Sequence, residues 1–200
     1  VFINYITLML INMVAGLFLL AYYVYEGFDS KTQKQWIPGF GMTGAIALVT
    51  GLHMIFTWPV VGSFNIAYGE LSVLFGIVFL GASISLAQGW DLLTVAIYAF
   101  FAGIAAILVG LRIINLGLTR QPLLSGVGFI LTGLGGVCAA PALYLRTNRS
   151  LRLVGVVVLV AAALIWLLTG LLAYWGHLAD YSKWAPSPMR LPPSLPPASP

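Results

Sequence analysis

Seven residues carry most of the chemistry this sequence offers: Asn12, His53, Glu70, Phe75, Tyr98, Phe101 and Arg112. All lie in or beside long apolar runs. An ionisable group inside a bilayer is costly, so each one there is a functional candidate by default. Glu70 stands about one turn inside its run, and Arg112 closes the next run on the same side. His53 lies about 7 Å below that side at 1.5 Å per residue. Asn115 and His177 also fall near it, so these groups could line an outer vestibule. The plainer alternative is local pairing, Glu70 with Arg112 and His53 with a backbone carbonyl. Asn4, Thr7 and Asn12 give the first run a polar stripe, facing either a pore or a neighbouring helix. His53 and His177 are in principle haem or chlorophyll ligands. Two histidines on different helices make no wider pattern, so no cofactor is expected, with His53 the position to watch for a pigment or haem. No nucleophile–base pair, phosphate loop or metal-ligand spacing occurs, so the chain does not read as an enzyme.

The elements that position these residues follow from composition. Charged residues make up 7% of the chain and hydrophobic residues 60%. A soluble domain usually carries about 25% charged residues. So few charges cannot clothe a water-facing surface, so the surrounding solvent is lipid. Only helices and closed barrels satisfy their backbone groups there. The apolar runs are continuous and do not alternate with period two, which predicts an all-α transmembrane bundle and not a barrel. Six stretches reach the ~20 residues a span needs: 3–25, 38–58, 66–88, 92–112, 122–145 and 152–176. The first lacks a basic leader and a small-residue cleavage site, so it reads as a retained helix. The domain division is a six-helix membrane domain over 1–184 and a proline-rich tail over 185–200. The lone Cys138 excludes an internal disulfide. The net charge of +4 comes from loops and predicts no nucleic-acid binding.

Six spans place both ends of the chain on one side, here called side A. Lys31, Lys34, Arg146, Arg149 and Arg152 fall on side B, against Arg112 and Arg120 in the short side-A loops. Lys183 and Arg190 add to side A in the tail. The short-loop bias predicts that side B is cytoplasmic, with the chain integral to the cell (inner) membrane and both ends outside. Trp36, Trp58, Trp90, Trp175 and Trp184 fall at the predicted interfaces, and Trp166 lies mid-span. Small residues recur at four-residue spacing: Ala47 and Gly51, then Ala102, Ala106 and Gly110, then Gly128, Thr132 and Gly136. Such stripes let backbones approach closely, within the chain or between subunits. The spacing favours internal packing. Pro141 predicts a kink near the side-B end of the fifth span. The fragments 49–52, 131–134 and 168–171 read V-T-G-L, L-T-G-L and L-T-G-L, a weak hint of internal repetition. The tail holds seven prolines in sixteen residues. That predicts an extended chain lying on a neighbour, either another copy or a different protein.

The stretch Leu74–Phe75–Gly76, Leu80, Ala82, Ile84, Gly89–Trp90–Asp91, Tyr98 and Phe101, followed by residues 105–108, resembles the central part of the urea and short-chain amide channels, the family of the acid-activated urea channel. Leu10, Asn12, Gly16 and Leu17 look like that family's first helix. The resemblance implies six spans, both ends outside the cell and a hexameric ring. It covers roughly fifty residues. The chain departs from the family in three places. Residues 92–94 follow Asp91 where members carry Arg-Pro. The loop 59–65 has no histidine. No glutamate stands between 122 and 145. These departures bear on urea selectivity and acid gating. Residues 39–43 and 116–119, followed by Pro122, are similar to pieces of the acetate-uptake family. The whole chain also resembles an uncharacterised family of small six-span prokaryotic membrane proteins.

Two functions fit. The first is a passive channel for a small neutral solute, in which Phe75, Tyr98 and Phe101 shape an apolar slot and Asn12, His53 and Glu70 make polar contacts, with Arg112 nearby. The second is a non-catalytic accessory subunit of a larger respiratory or photosynthetic membrane complex, with the tail laid on a partner. Expected partners are the lipid bilayer and either further copies or other membrane subunits.

Overall fold

A computed structural model describes residues 5–29, 31–60 and 62–179. Asn4, Lys183, Trp184, Arg190 and the tail 185–200 lie outside the described residues. The described chain is all helical: α1 (Ile6–Tyr25), α2 (Ile37–Thr57), α3 (Leu71–Gln88), α4 (Leu93–Leu116), α5 (Pro122–Val137), α6 (Ala139–Tyr144) and α7 (Arg149–Ala179). Two short 3-10 turns join α1 to α2, and a π-helical turn, Asn65–Glu70, leads into α3. Five of these helical stretches are long and apolar enough to cross a membrane. The expected fifth span is broken. α5 holds 16 residues and α6 holds six, so this crossing is made in two pieces. Pro141 is the cause, because it has no N–H to offer the carbonyl of Val137. The ladder stops there, and Cys138 closes α5 by bonding back to Leu134 at 2.9 Å.

The six crossings form a closed ring in chain order, with α7 returning to α1. Three pairs are the most extensive contacts: α2 with α3, α4 with α5, and α1 with α7. Lipid gives helices no hydrophobic reason to associate, so close backbone approach has to supply the attraction. Glycine provides it. A methyl group on Gly44 would sit 2.6 Å from the Leu80 nitrogen, and one on Gly76 would sit 2.6 Å from the Leu48 nitrogen. Between α4 and α5, a methyl on Gly110 would reach Gly126 O at 2.6 Å, and one on Gly136 would reach Ala99 O at 2.6 Å.

The stripes differ from the expected ones in one respect. α4 faces α5 with Ala99, Gly103, Ala106 and Gly110, the first three also edging the ring interior, and Ala102 lies on the interior side of that stripe. On α5, Gly128 and Thr132 meet Trp166 of α7, and Gly136 meets α4. Eight residues at 100° each carry a position about 80° around the helix, so one four-residue series serves two neighbours.

The three T-G-L fragments play equivalent parts. Thr50, Thr132 and Thr169 each donate to the carbonyl four residues back, at 2.7, 2.8 and 2.8 Å. The glycine that follows each one meets the partner helix: Gly51 against α3 and the turn before it, Gly133 against α4, and Gly170 against α1. A threonine bonded to its own helix hides its hydroxyl from lipid.

Local chemistry fixes the loops. Gly89 and Gly117 end α3 and α4 at φ 71° and 63°, the left-handed conformation that glycine adopts without strain. Trp58 ends α2 in the same region at φ 47°, unusual for a bulky residue. The fully buried Asn65 holds that turn, donating to Val60 O at 2.6 Å and Gly62 O at 3.0 Å. Trp58, Trp90 and Trp175 are exposed, as interface residues should be. Trp36 is not. It is 5% exposed among Tyr22, Tyr23 and Phe40, because the 3-10 turn preceding α2 folds it under α1.

Gly103→Val places a side chain against the α5 backbone. It should destabilise by about 1–3 kcal/mol or more. Gly176, whose added methyl meets nothing within 4 Å, should accept alanine within about 0.5 kcal/mol. Thermal unfolding in detergent reads both.

Candidate functional site

The ring encloses a chamber of about 390 Å³. Its wall is apolar: Leu17 and Val24 from α1, Phe75 and Phe79 from α3, Ala99 and Ala102 from α4, and Leu159 from α7. The size falls in the range of small-molecule sites, and such sites are mostly hydrophobic with a few placed polar groups. Among the described residues Arg152 is the single charged one in the wall, and it stands at the side-B end. Its Nη2 donates to Tyr25 O at 3.2 Å, which ties the start of α7 to the end of α1.

Toward side A the ring is solid. Phe129 and Trp166 are 1% and 0% exposed, with ring centroids 4.9 Å apart at 76°. Tyr68 lies 5.5 Å from Phe129 on the other flank, and its hydroxyl bonds the Ser125 side chain. Trp166 Nε1 donates to Thr132 Oγ1 at 2.9 Å, and that hydroxyl donates onward to Gly128 O. The mid-span tryptophan is therefore a satisfied group in the floor of the chamber. A methyl on Gly128 would lie 2.9 Å from its ring.

Only Phe75 of the seven sequence candidates lines the chamber. Asn12 is buried, and its Nδ2 donates to Thr43 O at 2.9 Å, clamping α1 to α2. The polar stripe of α1 thus faces a neighbouring helix at this position. Tyr98 and Phe101 do not shape a slot. They are 43% and 65% exposed on the outer face of α4, because its small-residue face is turned inward against α5.

His53, Glu70, Arg112 and Asn115 are all exposed and do not gather into a vestibule. Arg112 donates to Asn115 Oδ1 at 3.2 Å along its own helix. Among the described residues no ion pair joins it to Glu70. His53 pairs with a side chain and not with a carbonyl. Its Nδ1 lies 2.7 Å from the Tyr5 hydroxyl. The Thr57 hydroxyl donates to His53 O at 2.7 Å. No group of three or more metal-ligating side chains occurs among the described residues.

The chamber's chemistry is simple. It can hold an uncharged group by dispersion, and away from Arg152 it penalises an ion, which would lose its water with nothing to replace it. Sequence reasoning missed Tyr68 and Phe129, which build the floor, and read Thr132 only as a small packing residue. Trp166 was the visible signal, as the one tryptophan away from an interface.

Ring and chamber together define a multi-pass helical membrane protein with an internal apolar cavity. The chain belongs to the family described as protein of unknown function (DUF981), whose model matches residues 1–180. No curated protein and no solved structure matches the chain.

The Trp166–Thr132 bond is testable by a double-mutant cycle. Trp166→Phe and Thr132→Val should each destabilise, and the pair should show a coupling of about 1 kcal/mol in unfolding measurements.

Proposed function

We propose that this chain is a passive membrane passage for a small uncharged solute, urea- or amide-like in size but weakly polar, with the ring interior as its path. The observation that carries this reading is the chamber itself. It reaches from side B to mid-membrane inside a single chain, and its wall includes residues from all six crossings. An apolar wall excludes ions through their dehydration cost and leaves small neutral molecules the least impeded. The polar candidates lie off this path, so weakly polar solutes are favoured over urea. The Phe129–Trp166–Tyr68 floor is the barrier a solute has to cross, and its rearrangement is the gating step. The tail that motivated an accessory-subunit role lies outside the described residues, so the passage is the better supported of the two. The outer face bearing Tyr98 and Phe101 is available to lipid, to another copy or to another membrane subunit.

Gly155 gives a clean test. It lines the chamber, and a methyl there would meet only Val24 Cγ1, at 4.0 Å. Gly155→Leu should fold normally and fill the space. In stopped-flow measurements on proteoliposomes, acetamide flux should exceed that of empty vesicles and fall several-fold in Gly155→Leu. Flux equal to empty vesicles, with propionamide and glycerol giving the same result, would reject the passage.

A further inference from the structure

The chamber has a second opening, sideways into the membrane. After the break at Cys138, α6 lies on α4 and makes few contacts with α7. Leu145 on one side of the resulting gap, and Leu151 and Val154 on the other, both line the chamber and face outward, with Val154 61% exposed. Gly155, just inside, leaves the gap wide. The chamber is thus continuous with the hydrocarbon of the side-B leaflet.

Such a volume does not stay empty. Water gains no partners from an apolar wall, and a void forfeits the dispersion contacts of every atom that lines it. Hydrocarbon fills it at least cost, and the adjacent leaflet supplies hydrocarbon. The rim above the gap is basic. The segment joining α6 to α7 and starting α7 carries Arg146, Arg149 and Arg152 and no acid. The acids at this end are Glu26, which follows the Tyr25 whose carbonyl Arg152 bonds, Asp29 in the same loop, and Asp91, which accepts from the Leu93 N–H at 2.6 Å. Arg146 and Arg149 leave the segment itself with an excess of positive charge. Arg152 is the rim residue that also lines the chamber.

We propose that the gap between α6 and α7 is a binding site for an anionic phospholipid of the side-B leaflet, with one acyl chain in the chamber and the headgroup against the arginine rim. The site rests on the chamber geometry and not on solute flux. Where the passage operates, a seated chain occupies the solute's space and closes it, so anionic lipid is an inhibitor of flux.

The test uses the full chain in nanodiscs containing phosphatidylglycerol with a diazirine on one acyl chain. After photolysis, adducts should concentrate on chamber-lining residues beside the gap, Leu151 and Val154 among them. Gly155→Leu should suppress these adducts. Arg152→Gln should lower the preference for phosphatidylglycerol over phosphatidylcholine about fivefold, with Arg149→Gln as a second variant should the first not fold. Adducts spread evenly over the outer helix faces would overturn the site. So would equal labelling by the two lipids in wild-type protein. A diazirine fatty acid that labels these positions better than the phospholipid would assign the chamber to free fatty acid and refute the phospholipid assignment. Flux is measured in phosphatidylcholine proteoliposomes, free of the anionic lipid that would close the passage: specific adducts in phosphatidylglycerol nanodiscs with no acetamide flux in phosphatidylcholine sink the passage alone, and flux without specific adducts sinks the lipid site alone.

Discussion

Backbone contact between helices is the constraint on which this structure depends. In a bilayer, burying a leucine against another helix gains little over leaving it in lipid, so side-chain hydrophobicity cannot hold a ring together. The gain comes from atoms brought closer than lipid chains can approach. Gly44, Gly76, Gly103, Gly110, Gly126, Gly133 and Gly136 each have a partner backbone where a side chain would otherwise stand. Polar groups add to this by bonding across or within helices, as in Asn12 to Thr43 and Ser83 to Ile37. The ring's outer face can then be a plain apolar surface, which explains why α4 is studded with exposed large residues.

Much of the fold is legible in the sequence. Length and hydropathy locate six crossings, and helix ends fall within a few residues at Pro38, Gln88 and Pro122. Arg112 proved to be inside α4 because no proline or glycine follows it until Gly117, so the helix runs one more turn. The fifth crossing is the instructive case. Pro141 signals a distortion, but whether a proline bends a helix or ends it depends on what its neighbours offer the freed carbonyl. Here α6 finds a surface on α4, and the helix ends.

The site is much less legible. Asn12, His53, Glu70 and Arg112 stand out because they are polar in apolar surroundings. That same cost drives each toward a nearby partner or toward the outer face. The chamber is made of what is missing, the space left where α5 stops, and its wall of Val, Leu, Ala and Phe is indistinguishable in sequence from packed core. Which face of a helix turns inward also depends on glycine register. Tyr98 and Phe101 point outward because Ala99, Gly103 and Ala106 claim the contact with α5, a fact of pairing and not of local composition.

The unequal seams of the ring have a mechanical consequence. Three pairs are joined through glycine, and the joints between α1 and α2, between α3 and α4 and between α5 and α7 are less extensive. Deformation concentrates where packing is sparsest. The molecule is therefore three stiff ribs on compliant hinges, and lateral tension in the bilayer would spread the ribs apart before it distorted any one of them.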